Sequence, residues 1–131
     1  MISPSHLREI ARARLKDSEV LYTNGRYDGA VYLCGYAVEV ALKARICKTL
    51  KWTEFPPKGS GDYRSFKVHD LAILLKFTGL EAKIKTKFFS DWSIVELWSS
   101  ESRYNPVGTA SPADAQNMID STRNLLKAVL L

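Results

Sequence analysis

Apolar positions along this chain recur with the period of helices, and the pattern divides it into five helical segments. In the first, Leu7, Ala11, Leu15, Ser18, Leu21 and Tyr22 share one face at 3.6 residues per turn. Ser3-Pro4 supplies an N-cap serine and a first-turn proline, Asn24-Gly25 the stop, and Arg14 falls on the inner face. A second helix starts at Tyr27-Asp28 and runs to about Leu50. From Ala30 to Leu42 it is apolar, small or aromatic except for Glu39, as expected of the central helix of a bundle. Ala30, Cys34, Ala37, Ala41 and Ala44 form a stripe of small residues that lets another helix backbone approach closely.

His69-Asp70-Leu71 opens a short third helix with Leu71, Leu74, Leu75 and Phe77 as core candidates, stopped at Gly79. A fourth carries Ile84, Phe88, Trp92 and Val95 on one stripe and must end before Pro106. The fifth begins at Ser111-Pro112-Ala113-Asp114 and buries Ala115, Met118, Ile119, Thr122, Leu126 and Val129. Between Lys51 and Lys67, the pair Pro56-Pro57 and the run Gly59-Ser60-Gly61 forbid regular structure. The aromatic residues of this long loop, Trp52, Phe55, Tyr63 and Phe66, are expected to pack back on the bundle.

Composition narrows the class without naming an activity. At 131 residues, 46% hydrophobic and 25% charged, the chain is expected to form one all-α domain, residues 1–131, as an up-and-down bundle of four to five helices. No signal-peptide core appears in Met1 to Asp17 and no apolar run approaches a membrane span, so the expectation is a cytoplasmic protein without membrane association. Cys34 and Cys47 lie too far apart on one helix to form a disulfide, and their spacing to the two histidines fits no metal site; no cofactor is expected. A net charge of +5 permits an anionic partner. Lys43, Arg45, Lys48 and Lys51 at the end of the second helix, and Lys83, Lys85 and Lys87 before Phe88-Phe89, could contact phosphate or simply form solvated faces.

Two groups of residues bear on chemistry. Glu39 either pairs with Lys43 one turn on, or lines a groove where Arg103 or Arg14 neutralises it and Tyr32 and Tyr36 form aromatic walls. Arg103-Tyr104-Asn105-Pro106 closes the fourth helix, and an arginine beside a tyrosine and an asparagine can bind a phosphate or nucleotide without catalysis. Apolar surface around Trp92, Trp98 and Leu130-Leu131 would exceed what a monomer leaves in water, which predicts a homodimer.

The Gly25-Arg26-Tyr27-Asp28-Gly29-Ala30 start, the Gly35-Tyr36-Ala37-Val38-Glu39-Val40-Ala41-Leu42-Lys43-Ala44 run, His69-Asp70-Leu71 and Arg103-Tyr104-Asn105-Pro106 together resemble the HEPN domain family, in the right order over nearly the whole chain. The resemblance implies a helical bundle, usually homodimeric, often acting beside a small nucleotidyltransferase in a toxin–antitoxin pair. It also implies that many relatives cut RNA without metal, using an arginine and a histidine four to six residues later at the dimer interface.

This chain departs from that nuclease pattern. Arg103 stands where the resemblance puts the catalytic arginine, but Gly108, Thr109 and Ala110 occupy the histidine positions and cannot act as general acid or base near neutral pH. Arg64 does precede His69 at a nuclease-like spacing, although at the end of the long loop. The chain is therefore expected to be a non-catalytic interaction and nucleotide- or RNA-binding module, with Glu39, Arg103, Tyr104, Asn105, Tyr32 and Tyr36 as ligand-binding candidates. The alternative is a metal-independent ribonuclease toxin using Arg64 and His69, or Arg103.

Overall fold

The computed structural model describes residues 2–57 and 69–131. Among them are α1 (Pro4–Thr23), α2 (Tyr27–Leu50), α3 (Leu71–Phe77), α4 (Glu81–Lys87), α5 (Phe89–Val95) and α6 (Pro112–Val129), with a 3-10 turn at Ser100–Tyr104. The all-α bundle expected from the periodicity is the architecture found. Its helix starts follow from local chemistry: Ser3 Oγ accepts from the His6 N–H at 3.1 Å. Ser111 and Asp114 form a reciprocal capping box, each side chain accepting from the other's backbone N–H at 3.0 Å.

Helix α2 is the axis, with α1 and α6 packed along it. Ala30, Cys34, Ala37, Ala41 and Ala44 are all buried, and so are Val38, Val40, Leu42 and Ile46 on the remaining faces. A helix apolar nearly all round is stable only when neighbours enclose it, and the aromatic side chains complete that enclosure. The Trp98 indole lies directly on Gly35, where a Cβ would fall 2.1 Å from its Cγ.

That contact accounts for part of a departure from the expected fourth helix, which is not continuous. Phe88, at φ −123° and ψ 31°, separates α4 from α5, and the chain leaves the helical path again after Val95. Only by leaving it can Trp98 reach Gly35 while Ile84, Trp92 and Val95 stay buried. Trp92 and Trp98, expected at an exposed face, are 3% and 9% exposed, because the bundle itself covers them. The exposed apolar residues are instead Phe89, Leu97, Tyr104, Val107 and Leu131.

The start of the long loop packs back as expected. Phe55 is buried, Trp52 stacks near it at 6.0 Å, and Ile2 and Phe55 exchange both backbone hydrogen bonds at 2.8 and 3.1 Å. Arg64, Tyr63 and Phe66 lie outside the described residues. Both cysteines are free and buried, and desolvation pushes the Cys47 thiol up to about 11, so it stays protonated at neutral pH.

Candidate functional site

The candidate residues fall into two groups along one face of α2. At the first, Glu39 is 2% exposed, and a carboxylate so placed needs cationic or donor partners. Lys43 Nζ donates to its Oε2 at 2.8 Å and His69 Nδ1 lies 2.9 Å from the same atom. An ionised carboxylate only accepts, so Nδ1 carries the proton in this pair. Asp70, the next residue, caps α3 by accepting from the Ala72 and Ile73 N–H groups. The Lys43 ammonium also sits 5.6 Å from the Phe55 ring centroid. This cluster ties α2 to the loop start and to the entry of α3. The pairing of Glu39 with Lys43 read from their spacing is present; Arg14 instead faces Asp17 at 3.0 Å.

The second group is built around Tyr32, seven residues before Glu39 and therefore about 10 Å away along the helix axis. The Tyr32 ring packs 5.9 Å from Trp98, and the Arg103 guanidinium lies against the hydroxyls of Tyr32 and Tyr104 and 4.9 Å from the Tyr104 ring centroid. Those hydroxyl contacts push the Arg103 pKa further up, so its charge is permanent. Among the described residues no carboxylate pairs with it. Arg103, Asn105 and Tyr32 line a cleft of about 840 Å³ whose carbon-rich walls include Val31, Ile94, Leu97 and Met118. Tyr104 stands exposed beside this cleft, while Tyr36 packs half-buried against the core.

Arg103 and Glu39 thus belong to separate clusters, and it is His69 that Glu39 meets.

Asp28 explains what replaces the missing histidine. Its carboxylate accepts from the Gly108 N–H at 2.6 Å and the Ala110 N–H at 2.8 Å, clasping the segment after Pro106 to the start of α2. Gly108 has φ +90°, a conformation that a histidine would adopt only with strain. The positions where a general base would stand are occupied by a backbone clasp. Sequence periodicity gave no sign of this bond, because it joins residues 80 and 82 positions apart.

The two N–H groups hold the Asp28 carboxyl below the ordinary aspartate range. With the folded pKa depressed, the clasp is complete above the unfolded value of about 3.9 and is lost as pH falls through the folded value. Asp28→Ala is expected to speed hydrogen exchange at Gly108 and Ala110 while leaving the buried stretch of α2 protected. Unchanged exchange at those two amides would remove Asp28 from this role.

The remaining candidates sort by their partners. Lys48 Nζ and Arg45 Nη1 donate to the Leu131 backbone oxygen at 2.6 and 3.3 Å, and Lys85 pairs with Glu81 at 3.1 Å. Among the described residues there is no group of three or more histidine, cysteine or acidic side chains arranged to hold a metal ion. No helix is long and apolar enough to cross a membrane.

These features define an all-helical bundle with a buried carboxylate on its central helix and an arginine-lipped cleft. The HEPN domain profile matches residues 5–131, nearly the whole chain, and the protein belongs to the HEPN domain family. No curated protein and no solved structure matches it.

Proposed function

We propose that this HEPN domain is a homodimeric interaction module that binds RNA or a nucleotide at the lip of the Arg103 cleft, without cleaving it. It acts beside a nucleotidyltransferase-type partner in a toxin–antitoxin-like pair. The observation that carries the binding reading is the state of Arg103, exposed, unpaired by any carboxylate among the described residues, and flanked by Tyr32, Tyr104 and Asn105. A guanidinium so held matches a phosphate, and an exposed tyrosine offers a stacking face to a base. Leu97 and Val107, 84% and 100% exposed, supply apolar surface of the kind a second chain covers. The Asp28 clasp, standing where a catalytic histidine would be needed, supports binding without chemistry.

In a fluorescence-anisotropy titration with single-stranded RNA, Arg103→Ala is expected to weaken binding about tenfold, the cost of one charge-assisted contact. Lys85→Ala, which alters an exposed lysine on α4, should change it far less. Equal losses from both variants would reduce the Arg103 lip to part of a diffuse positive field.

One observation favours the ribonuclease reading. His69 is more than half exposed, its Nδ1 is held by Glu39, and Nε2 has no hydrogen-bond partner among the described residues. A carboxylate-oriented imidazole is suited to proton transfer. Its proposed companion, Arg64, lies outside the described residues.

A further inference from the structure

The cleft beneath Arg103 has a charge pattern that selects among ligands. Two carboxylates, Asp28 and Asp114, stand on its wall, and each is already engaged: Asp28 by the Gly108 and Ala110 N–H groups, Asp114 by the Ser111 N–H. Both have pKa values lowered by these bonds and stay ionised at neutral pH. Arg103 is the only basic side chain among the residues lining the cleft. The floor is apolar, with Ile94, Leu97 and Met118 contributing carbon surface. Its volume of about 840 Å³ lies within the range of roughly 300–1,000 Å³ usual for small-molecule sites.

We infer that this cleft is a binding site for a small molecule with an apolar, planar or branched body and a single anionic group, the anion held by Arg103 and the body seated on the floor. One cation neutralises one negative charge. A second or third charge on the ligand would face two fixed carboxylates with no further cation to meet it, so a polyphosphate is disfavoured. An uncharged apolar molecule would use the floor and gain nothing from Arg103. The inference rests on the cleft alone and is independent of whether RNA binds at its lip.

A matched pair of fluorescent probes tests it on the intact chain. 1-Anilinonaphthalene-8-sulfonate carries the single anion, and N-phenyl-1-naphthylamine is the same body without it. The sulfonate is expected to saturate one site per chain, and Arg103→Ala to weaken it about tenfold while changing the neutral probe less than about twofold. Leu97→Glu, at a side chain exposed enough to leave folding intact, adds a third carboxylate and should weaken the sulfonate more than the neutral probe. A thermal melt of each variant checks that the fold is retained. ATP in excess over the sulfonate is expected not to displace it. Equal effects of Arg103→Ala on both probes, unsaturable sulfonate binding, or displacement by ATP would each overturn the assignment. Failure here with RNA binding intact would leave the lip reading standing; loss of RNA binding with the probe pattern intact would do the reverse.

Discussion

Gly35→Ala is expected to destabilise the domain by about 2 kcal/mol, lowering its melting temperature by roughly 8 °C. The added methyl would meet Cγ, Cδ1 and Cδ2 of Trp98 at 2.1 to 2.2 Å, far inside contact distance. Alanine is the better helix former by about 1 kcal/mol, so propensity alone predicts the opposite sign. Overpacking wins because the obstacle is a buried ring and not the free end of a flexible chain. Trp98 holds the segment that leads into the 3-10 turn carrying Arg103, so the displaced ring should disturb the cleft as well. Trp98→Leu in the Gly35→Ala background should recover part of the loss, since the smaller side chain makes room. An unchanged melting temperature in Gly35→Ala would mean that the indole does not sit on this glycine.

The second large effect is expected at Glu39. Removing its carboxylate by Glu39→Ala leaves Lys43, whose side chain is 14% exposed, without its anion and should cost about 2–3 kcal/mol in urea unfolding. Glu39→Gln keeps an acceptor for Lys43 but loses the charge and should fall between. His69→Ala should cost only about 0.5–1 kcal/mol, because the ring is 58% exposed and water replaces it. The comparison that decides the matter is Glu81→Ala, which removes an equivalent pair with Lys85, spaced the same but exposed on both sides, and should cost no more than about 0.5 kcal/mol. Equal costs at Glu39 and Glu81 would contradict the view that burial gives the Glu39 cluster its strength.

What could be read from the sequence were features that leave a local or periodic trace. The serine caps before Pro4 and Pro112, the small-residue stripe of α2 and the pairing of Glu39 with Lys43 all depend on neighbours within four positions, and each is present. Contacts between distant segments leave no such trace. Glu39 meets His69 thirty residues on, Asp28 reaches Gly108 and Ala110, and Trp98 covers Gly35; none of these pairs imposes a period on the chain. The same reason explains why the break in the expected fourth helix was hidden. Its apolar stripe satisfies helical spacing throughout, and the departure after Val95 is required by a tertiary contact. The candidate site was legible residue by residue in Arg103, Asn105 and Tyr32, yet its division from Glu39 depended on how far apart the two groups sit along α2.

The central claim is that the domain holds RNA at Arg103 without cutting it, and His69 serves the fold through Glu39. The most direct measurement recovers the RNA after titration in chelator and compares its length after exposure to the native protein and to His69→Ala. Full-length RNA from both is the predicted result. Fragments produced by the native protein and abolished by His69→Ala would contradict it, and would make the carboxylate-held imidazole a catalytic group.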